Sequence, residues 1–337
     1  MRFGLILGDV PASVSPREHF RQLLRQVHAA ADAGFTLLSI GQHFLYGDVR
    51  CLQPIPTLAR LAAEVDADVK LAITVLIAPL AHPVTLAEDL ATLDIVSEGR
   101  LIAGLGLGYR REEFRQFGVP FEDRIARFTE LAETMRRLWT EPEVSTSGPV
   151  WPLVRATPHL VPVQSPLPVW IGANAAAGVR RSARLGDAWP VGPRMPLPEV
   201  RELLGLYFSC RDAEGRDRTA QPIRREIVLG RDREDAIAAF TAMTSARYQD
   251  YSARERDSLP GTASSEIPAA ITGSPDSVRA QLATLAAELP VDPVIVRAQW
   301  PGMDIEAVEE YLAVLGKEIV QPLADVPVRD ATLPVTP

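Results

Sequence analysis

Eight short apolar runs, each separated from the next by a helix-length or longer stretch, predict an α/β fold. Within that class they predict a (β/α)8 TIM barrel with insertion loops at the C-terminal face of the strands. Two further observations agree. The runs are continuous Val, Ile, Leu and Ala rather than strictly alternating, as in parallel strands covered on both faces. No Pro/Gly/Ser-rich linker divides the 337 residues, so 1–321 reads as one domain and the aperiodic, proline-rich 322–337 as a tail.

The elements follow in order. Phe3 to Leu7 is the first strand. Glu18 to Ala33 sets Phe20, Leu23, Leu24, Val27 and Ala31 at three- and four-residue spacing, an amphipathic helix that Gly34 ends. Strand Thr36–Ile40, helix Ile55–Val65, strand Leu71–Ile77, helix Val84–Val96, strand Leu101–Gly104 and helix Asp123–Trp139 come next. Strand Val169–Gly172, helix Ala175–Leu185, strand Ala188–Val191, helix Leu197–Arg211, strand Glu226–Gly230 and helix Arg233–Tyr248 continue the alternation. Helix Ser277–Glu288, strand Val294–Ala298 and helix Ile305–Ile319 complete it. Two irregular stretches, Glu141–Pro168 and Gln249–Pro275, are long enough to wall or cover a pocket, and the second is consistent with a lid.

Composition removes several function classes. A net charge of -8 with scattered Lys and Arg argues against a nucleic-acid partner. Cys51 and Cys210 form neither a CxxC pair nor a secreted framework, which suits a reducing cytoplasm. The apolar part of MRFGLILGDVP is too short for a signal peptide or a membrane span. There is no HExxH, HxH or clustered Asp/His pattern for a metal, no GxSxG elbow and no GxxxxGK[ST] loop.

On a barrel, chemistry gathers at the C-terminal strand ends. His43 lies just past strand two, where a packed histidine and a functional one are both open readings. Strand four runs into Gly104, Gly106 and Gly108, glycines that offer close backbone approach to a flat ligand. Their G-x-G-x-G spacing is weak evidence for a dinucleotide fold. Strand five ends in GANAAAG, either a tight turn or a helix start whose free amides would take an anion. Glu112 and Glu113 read as a solvated helix start.

Together these stretches resemble the luciferase-like monooxygenase superfamily. The resemblance runs from Met1 to about Pro322 and is carried by GQHF, by TVLIAPLAHPVTLAEDLATLDIVSEGRLIAGLGLGYRREEFRQFG, by PLPVWIGANAAAGVRRSARLGDAW, and by GSPDSVRAQL with RAQWPGM. It implies a barrel binding FMN or coenzyme F420, with His43 as the active-site histidine. Thr74-Val75 matches a bulge, often a non-proline cis peptide, that supports the isoalloxazine ring. Gly106, Gly108 and Tyr109 match the segment beside the ring and ribityl chain. Gly172, Asn174, Ala175 and Gly178 match the strand end and phosphate turn. Gln42 stands where the family has an acid. Leu107 replaces an arginine that luciferase uses for flavin phosphate, which leaves the helix start, with Arg110 or Arg194, to hold it. The resemblance implies a homodimeric monooxygenase that uses reduced FMN, supplied by a separate flavin reductase, and O2 to oxygenate a small organic substrate. Its alternatives are an F420-dependent hydride-transfer enzyme and a non-catalytic partner subunit.

Overall fold

The computed structural model describes residues 1–47, 49–242, 269–300 and 303–332. Among these residues eight parallel strands make one curled sheet, seven of them along one path: β1 (Phe3–Ile6), β2 (Leu37–Ile40), β3 (Lys70–Ile73), β4 (Leu101–Gly106), β5 (Val169–Ile171), β6 (Gln221–Arg224) and β7 (Val291–Arg297). Their order is β5-β4-β3-β2-β1-β7-β6. Both faces are buried, and neighbouring residues along a strand enter different cores. Ile6, Leu37, Ala72, Trp170 and Ile295 pack together as one small cluster, whereas Leu5, Leu38, Leu71, Ile171 and Val294 join the large core with the helices.

The first helix, α1 (Pro16–Asp32), starts where its sequence says it should. The Ser15 hydroxyl accepts the Glu18 N–H at 3.2 Å and Pro16 occupies the first turn. Its inward face carries Leu23, Val27 and Ala30, and also His19 and Gln26. Burial holds the His19 imidazole below its ordinary value of 6.5, against the Gly8 backbone and Asp9, which pull it up. His19 therefore favours its neutral form in the fold, and the unfolded chain takes up the proton more readily as pH falls through that range. The stability it carries is complete above the ordinary histidine value and is lost below it. Between about pH 7.5 and about pH 5.5 the wild-type urea midpoint should fall more than that of His19→Gln; equal falls would contradict this assignment.

The helices α2 (Pro54–Leu61), α3 (Pro83–Val96), α4 (Arg111–Gln116), α5 (Arg124–Thr140), α6 (Ala176–Leu185), α7 (Leu197–Ala213), α8 (Pro275–Glu288) and α9 (Ile305–Leu315) lie close to their expected bounds where the sequence predicted them; α4 is an addition. The strand expected over Leu71–Ile77 breaks after Ile73 at a cis Thr74–Val75 peptide and resumes as Leu76–Ile77, paired with Leu105–Gly106.

The later strands depart from expectation. Glu226–Gly230 is not the sheet's seventh member. Ile227–Leu229 pairs with Ile271–Gly273 in a separate two-stranded sheet, and Gln221–Arg224 lies against β7 instead. Hydropathy hides this strand because its polar side chains are satisfied internally. Gln221 Oε1 accepts the Trp189 N–H at 2.7 Å, and Arg225, just past the strand, donates to the carbonyls of Gly192 and Met195 at 3.0 Å each. Burial pushes the Arg225 guanidinium down to about 10. The run Ala188–Val191 forms no strand of its own; it makes single parallel bridges, Trp170 with Ala188 and Val191 with Ile223.

Within Glu141–Pro168, Val144–Thr146 and Leu153–Ala156 form an antiparallel pair. Residues 233–242 are helical, while the rest of that expected helix and the proposed lid over 249–268 lie outside the described residues. The expected tail packs over its described length: Leu323 and Ala331 are buried, and the Arg329 N–H donates to the Ala286 carbonyl at 2.8 Å.

Candidate active site

The ends of β2, β3, β4 and β5 bring most of the expected residues together. His43, three residues past β2, has a side chain 23% exposed, and its Nδ1 lies 3.2 Å from Glu113 Oε1. Its ring is tilted against Tyr46 at 4.3 Å and meets Tyr109 edge-on at 5.9 Å. Glu113, expected to be solvated, has a side chain only 1% exposed. Its Oε1 also accepts the Phe44 N–H at 2.9 Å and an Arg110 N–H at 3.2 Å. Its Oε2 is buried without a hydrogen-bond partner. One signal for this pairing is legible beforehand, an arginine three residues before Glu113 on the same turn, and such i,i+3 pairs are common on solvated helices.

Gln42, expected from the resemblance to stand where the family has an acid, is neutral and fully engaged. Its Nε2 donates to Gln53 Oε1 at 3.0 Å, its Oε1 accepts the Ile77 N–H at 2.9 Å, and its backbone N–H donates to Val75 O at 3.2 Å. Gln42 therefore ties the end of β2 to the cis bulge and to the short strand that follows it. Gln53 Nε2 in turn donates to the His43 carbonyl at 3.0 Å.

The glycines serve the bulge. A Cβ on Gly106 would collide with Val75 Cγ2, and Cβ atoms on Gly104 and Gly172 would lie 3.3 and 3.4 Å from Val75 Cγ1. On these three glycines the place a Cβ would take thus lies against the Val75 side chain. Gly108, at φ +73°, turns the chain out of β4 beside Ile77 and Phe114, bringing Tyr109 toward His43. Thr74 Oγ1 is a second buried polar atom with no partner.

At the start of α6, Ala175 is the N-cap and supplies no side-chain cap, and Asn174 to Ala177 are exposed. Gly178 lets that turn sit against Ala173, 2.9 Å from where a Cβ would be. Arg110, expected to assist here, is committed elsewhere: it donates to the Phe44 and Leu45 carbonyls and stacks 4.7 Å over Tyr46. Arg194 is half-buried. Arg181 of α6 was not foreseen. Partial burial, with Arg184 and Arg124 nearby, holds its guanidinium below the ordinary value, so three arginines lie near one another here. Among the described residues no three His, Cys, Asp or Glu side chains converge as a metal site, and no helix is long and apolar enough to cross a membrane.

The chain is an α/β protein whose polar machinery collects at the carboxyl ends of parallel strands, the place where this architecture handles small molecules. It belongs to the luciferase-like monooxygenase family, whose model matches residues 1–292, and so to a family of oxidoreductases. It is 32% identical over 197 residues to the phthiodiolone/phenolphthiodiolone dimycocerosates ketoreductase of Mycobacterium tuberculosis, a match covering 57% of this chain and 51% of that protein. The chain thus spans about half the length of this curated relative. Among solved structures, the FMN complex of the oxygenating constituent of 3,6-diketocamphane monooxygenase from Pseudomonas putida superposes with a TM-score of 0.75 at 15% identity, covering 98% of this chain and all of that one. The F420-dependent tetrahydromethanopterin reductase of Methanopyrus kandleri gives 0.71 at 19% identity, covering 95% and 99%. At these identities the two structures speak for the fold alone.

Proposed function

We propose that the protein is a flavin-dependent monooxygenase that uses reduced FMN and O2 to oxygenate a small organic substrate at the mouth of a closed (β/α)8 barrel. Closure is supported by the two bridges through Ala188 and Val191, which link the outer strands β5 and β6. The observation that carries the functional reading is the His43–Glu113 pair beside the Val75 bulge. The buried, unpartnered Thr74 Oγ1 in that bulge fits a heteroatom-rich ring set against it. When bound, the flavin would supply the redox chemistry.

The protein's own part is positioning, exclusion of water and handling of a proton. With Nδ1–H donated to Glu113, the imidazole keeps Nε2 as an acceptor, able to take and return a substrate proton. Tyr46 and Tyr109 shelter that ring from water. Val75 forms the shelf for the ring system, with Gln42 bracing it. The exposed first turn of α6, through Asn174, Ala175 and Gly178, would hold the phosphate, with Arg181 adding charge. Such an open site suits a flavin that exchanges with a separate reductase. The same reading makes the protein a cytoplasmic homodimer.

A titration with FMN, reduced FMN and F420, followed by fluorescence or calorimetry, tests the cofactor. Binding of either FMN form is expected, and tight F420 binding with no response to FMN would sink the reading. Arg181→Ala should weaken binding of the phosphorylated cofactor about tenfold, an effect that shrinks as salt is raised. His43→Ala should lower turnover about a hundredfold or more. An F420-dependent hydride transfer is the second reading, favoured by the ketoreductase similarity over about half the chain.

A further inference from the structure

A cavity of about 580 Å³ opens beside His43, a volume typical of small-molecule sites. Its walls include Phe44, Tyr46 and Phe117, with Leu45 and Val49 between them. The rings are inclined to one another: Phe44 meets Phe117 at 4.7 Å and 56°, and Tyr46 meets His43 at 4.3 Å and 31°. Leu45 and Phe117 are 70% and 44% exposed, two large apolar side chains in water at one cavity. Leu45 is also held at φ +49°, a conformation uncommon for leucine. Arg110 fixes it there by donating to the Phe44 carbonyl at 3.0 Å and the Leu45 carbonyl at 3.5 Å.

The polar wall groups are largely committed. Gln53 spends its amide on Gln42 and on the His43 carbonyl. Arg50 donates to the Ala12 and Val14 carbonyls. Glu113 takes Nδ1 of His43, which leaves Nε2 as the ring nitrogen available to a guest. We propose that this cavity is the substrate pocket and that its substrate is a planar, ring-bearing molecule with an apolar body and one hydroxyl group, placed at His43. This rests on the reading of His43 as the proton-handling group. Stacking against these aromatic side chains selects a flat ring over a flexible chain, because a ring gives up little conformational freedom on binding.

Cys51 lies in the cavity wall and Cys210 on α7, so the protein carries a reporter thiol and an internal control. The test uses the full chain without cofactor, with 2-naphthol and decanal as probes. N-ethylmaleimide labelling of the two cysteines is followed by peptide mass spectrometry. 2-Naphthol should slow labelling of Cys51 about fivefold or more and leave Cys210 unaffected, and decanal should do less. Leu45→Asp and Phe117→Ala should each weaken 2-naphthol binding about tenfold without changing the FMN titration. Protection by decanal alone would overturn the ring class, and protection by neither probe, or unchanged binding in both variants, would overturn the pocket. Protection by 2-naphthol in a protein that ignores FMN would leave the pocket standing and sink the cofactor reading.

Discussion

Replacing Glu113 by alanine is expected to destabilise the protein by about 3 kcal/mol or more, because it leaves buried charge without its partner. The Arg110 and Glu113 side chains are 7% and 1% exposed, so solvent cannot take over the lost interaction. The Phe44 N–H and His43 Nδ1 lose their acceptor in the same step. The two carbonyls that Arg110 also meets keep the expected cost toward the low end of the range for broken buried pairs. A urea titration at neutral pH measures it, and an alanine variant as stable as wild type would show that the carboxylate is not the counter-charge. Glu113→Gln keeps an acceptor in place and should fold, yet turnover should drop about a hundredfold because an amide cannot stabilise a charged imidazole as a carboxylate does.

Gly104→Ala should be comparably damaging for a steric reason. The new methyl would overlap the Ile73 carbonyl oxygen and lie 2.9 Å from its carbon, in the backbone of the neighbouring strand. A clash with backbone cannot be relieved by a rotamer change, so β3 and β4 must separate beneath the Val75 shelf. The expected loss is about 3 kcal/mol, at the upper end for overpacking. Gly205 provides the contrast. It sits inside α7 with nothing within 4 Å of a Cβ, so Gly205→Ala should stabilise by about 0.5–1 kcal/mol. Equal midpoints for the two alanine variants would refute the steric argument.

Legibility in the sequence followed how each element is built. The first five strands were readable because they are apolar on both faces, and α1 was readable from its spacing and Gly34. Residues Gln221 to Arg225 were not, since the protein interior satisfies their polar groups with loop carbonyls that sequence cannot place. His43 was singled out by its position after a strand, and the resemblance gave it the active-site role. Its partner was missed because Glu113 stands among charged neighbours, and only the folded chain shows that Arg110 turns inward with it. The glycines were read as room for a flat ligand's approach; what the fold adds is that Gly104, Gly106 and Gly172 also lie against the Val75 side chain.

The Gln42–Gln53 pair also limits how this site can evolve. Gln53 has its oxygen toward Gln42 Nε2 and its nitrogen toward the His43 carbonyl. A carboxylate at position 42 would face that oxygen, and turning the Gln53 amide would set its oxygen against the His43 carbonyl instead. Gln42→Glu alone is therefore disfavoured whichever way the amide points. Positions 42 and 53 form an epistatic pair: an acid at 42 is tolerated only if residue 53 changes before it or with it.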